Sequence, residues 1–151
     1  MALEEGSKAP ELNLTDESGT PFSLSTLMGK SVVLYFYPKA GTGGCTLESQ
    51  EFRDQSPEFA SKGAVILGIS PDSESDQMKF KNDLNLPFKL LADHNHAGAE
   101  AYGVWKEKMR DGTPTMGVDR TTFLIGPDGI IQKTFKNVNP DGHAEEVLAA
   151  I

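Results

Sequence analysis

Cysteine is almost absent: the chain of 151 residues carries one, Cys45. A lone thiol can neither close a disulfide within its own chain nor build a cysteine-rich zinc site. An unpaired thiol also fits a reducing compartment. Long apolar runs are missing as well. The longest, Val32 to Tyr37, falls far short of the ~18–20 residues of a membrane helix and suits a buried strand. Positive charge is the minority sign, with 14 Lys and Arg against 22 Asp and Glu and a net charge of −8. That field opposes nucleic acid, whose binding depends on cations neutralising phosphates, and it disfavours anionic membranes. The segment Met1 to Lys8 lacks the charged-then-apolar layout of a signal peptide, so a cytoplasmic protein is expected. The sequon Asn13-Leu14-Thr15 is then a chance match.

No repeat, low-complexity block or Pro/Gly/Ser linker divides the chain. With 38% apolar residues it can bury a real core, and one domain over residues 1–151 is expected. Leu12 and Leu14 alternate with polar residues, and Asp16-Glu17-Ser18-Gly19 turns the chain towards Pro21 to Leu24. This predicts an N-terminal β-hairpin. One helical turn follows at Ser25 to Met28, ending at Gly29. Val32 to Tyr37 is continuously apolar or aromatic, as in a strand buried on both faces. Pro38 ends it, a glycine-rich loop follows, and Cys45 to Asp54 reads as helix. Ser56-Pro57-Glu58 resembles an N-cap with proline at the first helical position, which predicts a kink or restart.

Ala64 to Ser70 is a second β-branched run, and its separation from the first by a helix makes a parallel βαβ unit. An amphipathic helix over Ser73 to Leu84, a strand over Phe88 to Leu91 and a short helix over His96 to Tyr102 come next. Thr121 to Ile125 and Ile130 to Phe135 flank Pro127-Asp128-Gly129, a strong hairpin signal. Ala144 to Ile151 closes the chain as a helix. The order describes a thioredoxin-like α/β sandwich with insertions.

The loop Gly41-Thr42-Gly43-Gly44 stands between a buried strand and a helix start. Unpaired N–H groups and the helix dipole make that place attractive to an anion. Phosphate readings fail on the letters: a Walker loop needs Gly-Lys-Ser/Thr where Gly44-Cys45 stands, and a dinucleotide loop needs glycine where Thr46 stands. The residue at the anion position is Cys45. A free thiol with a pKa near ~8.5 is only about 3% thiolate at pH 7, and a nucleophilic one near ~6 is about 90%. That difference requires roughly 3 kcal/mol of preference for the charged form, of which a helix terminus supplies up to ~2 kcal/mol. Hydrogen bonds or a cation must supply the rest. Thr42 offers a hydroxyl from the same loop. Arg120, opening a late strand next to Asp119, offers a guanidinium if that strand lies beside the one leading to Cys45. A lone buried cysteine is ordinarily an inert small hydrophobe. Its position after a strand, three glycines and a threonine argues for the nucleophile.

These residues match a family. Pro38-Lys39-Ala40-Gly41-Thr42-Gly43-Gly44-Cys45 resembles the Pro-x-x-x-Thr-x-x-Cys signature of peroxiredoxins. Phe36-Tyr37-Pro38-Lys39, Leu67-Gly68-Ile69-Ser70, Tyr102-Gly103-Val104-Trp105 and Arg120-Thr121-Thr122-Phe123-Leu124-Ile125 resemble its bacterioferritin comigratory protein, or peroxiredoxin Q, branch. The likeness covers nearly the whole chain. It implies a thioredoxin-like fold with peroxiredoxin-type insertions, and a thiol peroxidase without cofactor or metal. It makes Cys45 the peroxidatic cysteine, Thr42 the hydroxyl that binds peroxide, Pro38 the shield of the thiolate and Arg120 the guanidinium that holds thiolate and substrate. Gly44 and Cys45 then offer backbone N–H groups to the peroxide oxygens.

Two departures from the family pattern stand out. Gly43 replaces the usual proline of Thr-Pro-Gly-Cys, which loosens the loop. The usual resolving position, five residues on, is Gln50, and the alternative on the next helix falls near Phe80 and Lys81. A sulfenic acid on Cys45 must therefore be reduced by an outside thiol through a mixed disulfide. The resemblance suggests thioredoxin first, then glutaredoxin or glutathione, and a monomer. A disulfide reductase on the same fold would need Cys-x-x-Cys, and Glu48 occupies that second position. A non-catalytic thioredoxin-like binding module is the remaining alternative. Glu48, on the helix after Cys45, is read as part of a solvated helical face, ahead of a role in orienting Arg120. His94 and His96 are read as loop residues, Tyr102 and Trp105 as packing, and Lys79, Lys81 and Lys89 as ordinary surface charge.

Overall fold

The structure, a computed structural model, describes residues 3–110 and 112–151. Of the acidic segment Met1 to Lys8, the first two residues lie outside the described ones. The hairpin forms from β1 (Asn13–Asp16) and β2 (Pro21–Ser23), followed by a 3-10 turn at Leu24–Leu27. Then come β3 (Ser31–Phe36), α1 (Gly43–Ser61), β4 (Ala64–Ser70), α2 (Glu74–Leu84), β5 (Lys89–Ala92) and α3 (Ala97–Ala101). β6 (Trp105–Arg110), β7 (Thr113–Val118), β8 (Thr121–Ile125), β9 (Ile131–Phe135) and α4 (His143–Ala149) complete the order.

Seven strands form one sheet in the order β2-β1-β5-β4-β3-β8-β9. β3 and β4 are parallel, as the βαβ pattern predicts, and β8 runs antiparallel to β3 with Phe36 opposite Thr121. Alternation along β3 sorts its side chains between two cores. Val33 and Tyr35 join Phe52 and Phe59 of α1, Phe80 of α2 and Val147 of α4. Leu34 and Phe36 face the other way, with Ala99 of α3, Tyr102, Val104 and Phe123. Helices on both faces of a mixed sheet are the expected thioredoxin-like sandwich.

Three expectations change. α1 runs unbroken through Pro57. A proline inside a helix costs about 3 kcal/mol, but Phe52 and Phe59 flank it on one face and both are fully buried. Each contributes about 1.5–3 kcal/mol by burial, enough to keep both halves on the sheet. The stretch after Val104, to which the sequence assigns no element, supplies β6 and β7, which pair as a ribbon with Trp105 opposite Val118. The exposed run at the start of β7 leaves little apolar alternation to detect. Finally, Lys81 and Lys89 are not ordinary surface charge. They pair with Glu17 at 2.8 Å and Asp16 at 3.0 Å, carboxylates buried in the hairpin turn.

Candidate active site

The site lies where β3 gives way to α1, at the C-terminal ends of the parallel strands β3 and β4. Open α/β sheets bind ligands at such ends. Tyr37 continues the pairing beyond β3, its N–H donating to the Ile69 carbonyl at 3.0 Å. Pro38 is half-buried at the start of the loop and Gly41 turns it with φ +85°, a backbone conformation that glycine takes without strain. Thr42 is the residue before α1, and its carbonyl accepts the first intrahelical bond from Thr46 N–H at 2.9 Å. Its exposed hydroxyl donates to the Lys39 carbonyl at 3.0 Å, which leaves the oxygen's lone pairs as acceptors.

Cys45 is fully buried in the first turn of α1. Helical spacing puts Glu48, Ser49 and Phe52 on its face, three, four and seven residues on, and all are buried. Arg120 precedes β8, and the pairing of Phe36 with Thr121 sets it opposite the strand end that feeds the loop. From there its Nη2 reaches Cys45 Sγ at 3.3 Å, and its Nη1 donates to Glu48 Oε1 at 2.7 Å. Sequence patterning singles out Cys45, Arg120 is expected from the strand order and the resemblance, and the sheet brings the two together.

Gly44 allows this approach. A Cβ there would lie 3.1 Å from Arg120 Nη2 and 3.5 Å from Pro140 Cγ. The segment carrying Pro140 is fastened at both ends: Val138 N–H donates to the Arg120 carbonyl at 3.1 Å, and Gly142 N–H to Glu51 Oε1 at 2.9 Å. These closing contacts come from residues that carry no sequence signal of their own.

Electrostatics divide between the sulfur and a carboxylate. Burial pushes the Glu48 carboxyl up to about 7, against the pull of the Arg120 guanidinium. Its Oε2 is buried with no hydrogen-bond partner among the described residues. The Arg120 guanidinium gains proton affinity from Glu48 and Cys45, opposed by its own burial, and it stays cationic. The arrangement presents one cation to a buried thiol and a buried carboxyl together. It can steady a negative sulfur and an oxyanion formed beside it.

Asp72 is a further residue at the site that patterning does not reveal. Its Oδ2 accepts the Ala40 N–H at 2.7 Å and the Ser70 hydroxyl at 2.5 Å. The available signal was its place just beyond β4, at the same sheet end as the loop. Elsewhere His94 bonds Glu74, and His96 stacks on Trp105 with ring centroids 4.0 Å apart. Among the described residues no group of three or more His, Cys, Asp or Glu gathers as metal ligands would.

Comparison with known proteins gives the family and the fold. The AhpC/TSA family model matches residues 6–134. Peroxiredoxin Bcp of Bacillus subtilis (strain 168) is 46% identical over 151 residues, covering 100% of this chain and 96% of its own. A solved structure of the Xanthomonas campestris bacterioferritin comigratory protein, described for alkyl peroxide reduction, superposes with a TM-score of 0.88. It is 39% identical and covers 92% of this chain and 88% of its own. Peroxidoxin BcpB of Mycobacterium tuberculosis gives 0.87 at 37% identity, over 97% and 95% of the two chains. The chain belongs to the AhpC/TSA family, within the bacterioferritin comigratory protein (peroxiredoxin Q) branch of the peroxiredoxins.

Proposed function

We propose that this protein is a one-cysteine thiol peroxidase acting on hydrogen peroxide and organic hydroperoxides. The contact of 3.3 Å between Arg120 Nη2 and a fully buried Cys45 Sγ carries this reading. The sulfur attacks the terminal oxygen of ROOH in line with the O–O bond. An S–O bond forms as the O–O bond breaks, sulfur losing two electrons and the peroxide gaining them. The proton that leaves the thiol is balanced by one that the departing RO⁻ takes up, leaving Cys45 sulfenic acid and an alcohol or water. Arg120 and the N–H groups of Gly44 and Cys45 stabilise charge on the oxygens, while the Thr42 oxygen accepts the peroxide O–H. Pro38 limits water at the loop entrance.

With no second cysteine in the chain, an external thiol condenses with the sulfenic acid, releasing water and forming a mixed disulfide. A second thiol then frees Cys45 and leaves as the disulfide. We assign that role to thioredoxin ahead of glutathione, and a monomeric, cytoplasmic protein suits an unpaired thiol. Among the described residues no helix is long and apolar enough to cross a membrane.

Stopped-flow oxidation by hydrogen peroxide and by an alkyl hydroperoxide tests the reading, with Cys45→Ser as control. Oxidation must be orders of magnitude faster than that of a free thiol. A rate equal to the free thiol's would reject the peroxidase and leave the non-catalytic module. Turnover with thioredoxin compared with glutathione decides the reductant.

A further inference from the structure

The loop between β3 and α1 has little to stiffen it. It contains Gly41, Gly43 and Gly44, and Thr42 braces it only locally, against Lys39. Among the described residues, Asp72 is the one side chain from outside the loop that bonds its backbone, at the Ala40 N–H. Asp72 is itself fixed. The Ser70 hydroxyl donates to its Oδ2 and accepts from Gln77 Nε2 at 2.9 Å, and that nitrogen also donates to the Leu91 carbonyl at 2.8 Å. Gln77 Oε1 in turn accepts the Tyr37 hydroxyl at 2.5 Å. Tyr37 stands three residues before Ala40, so the bonds close a ring from Tyr37 through Gln77, Ser70 and Asp72 to Ala40. Tyr37, Ser70 and Gln77 are buried, where an unmade hydrogen bond is expensive.

We infer that Asp72 is a positioning residue for the proposed peroxidase reaction, tethering the glycine-rich loop so that Cys45 meets Arg120 and substrate in one geometry. The inference rests on the peroxidase reading given above. The tether also opposes the second half of the cycle. Cys45 is fully buried, so a thiol larger than a peroxide reaches its sulfur only when the loop gives way. Weakening the ring therefore acts in opposite directions on the two half-reactions. Oxidation by a small peroxide slows because alignment is lost, and reduction by an external thiol quickens because the sulfur is easier to reach.

The test compares Asp72→Ala and Asp72→Asn with the parent protein in three measurements: Ala40 amide exchange, stopped-flow oxidation by hydrogen peroxide, and reduction of the sulfenic acid by dithiothreitol. In Asp72→Ala the Ala40 amide should exchange at least about tenfold faster, the weight of one charge-assisted hydrogen bond. Oxidation should slow by a similar factor and reduction should accelerate. Asp72→Asn keeps an oxygen for the Ala40 N–H and should restore most of the difference. General loosening of the fold would quicken exchange at core amides of β3 and β4 as well, whereas loss of the tether quickens it at Ala40 and its loop. If Asp72→Ala does not fold, Ser70→Ala replaces it, removing the hydroxyl that fixes the carboxylate. Parent-like exchange and oxidation in a folded variant would overturn the tether while leaving the peroxidase intact. A parent protein no faster than a free thiol would remove both.

Discussion

Arg120 bonds Cys45 and Glu48 through different nitrogens of one guanidinium, Nη2 lying 3.3 Å from Sγ and Nη1 2.7 Å from Oε1. One cation thus serves a thiol and a carboxyl that are both inaccessible to water. The fork geometry of arginine makes this possible, since an ammonium is a single point of charge.

Replacement of Arg120 by Lys keeps the charge and loses the fork. We predict a fall in the second-order rate of oxidation by about 10²-fold, in the range reported for removing one preorganised donor. Thermal stability should change less than for Arg120→Ala, which leaves Glu48 buried without its partner. Rates close to those of the parent would show that charge alone suffices.

Glu48 predicts a pH dependence with a definite sign. Its carboxyl is raised by burial from 4.5 to about 7 in the folded protein, so between those values the native state holds more protons than the unfolded one. Stability from this group falls as pH rises through that window and levels off above it, by about 3 kcal/mol in all. His143, whose imidazolium is disfavoured by burial, adds the opposite slope just below its ordinary 6.5. The informative quantity is therefore the difference between Glu48→Gln and parent. Denaturant melts from pH 4.5 to 8 should show the variant gaining relative to parent as pH rises, and parallel curves would contradict the buried carboxyl.

Gly44→Ala places a methyl 3.1 Å from Arg120 Nη2. We expect the guanidinium to be pushed from the sulfur and peroxide oxidation to slow by about tenfold or more, one tenfold step being 1.36 kcal/mol. The helix itself should tolerate alanine, a better helix former than glycine by ~1 kcal/mol. An unchanged Tm with slower oxidation would separate the site from the fold; unchanged oxidation would mean the fork does not need that space.

Phe52→Ala should destabilise the protein by about 3–5 kcal/mol. The ring is fully buried, stacks on Tyr35 at 4.7 Å between centroids and holds α1 beside the edge of His143. Chemical denaturation measures it. A loss below about 1 kcal/mol would show that Pro57 needs no such anchor.

Much of the sheet was legible because β3 and β4 are rich in buried apolar and β-branched residues, and Pro127-Asp128-Gly129 marks the turn between β8 and β9. Cys45 was legible because a strand, a glycine-rich loop and a helix start are consecutive in the chain. The β6–β7 ribbon was not, since its strands pair with each other and β7 opens on four exposed residues. Asp72 was also hidden: a carboxylate after a strand has no pattern until the neighbouring loop folds onto it.

The chain's own order of residues determined that a single thiol would sit in the first turn of a helix, with Glu48 on the same face. Local spacing and helix geometry suffice for that. Which cation reaches the sulfur, which carboxylate tethers the loop and whether α1 survives Pro57 were decided by tertiary structure. Those outcomes depend on strand register and burial, which join Arg120 to Cys45 across 75 positions of sequence and set desolvation against charge only once water has been excluded.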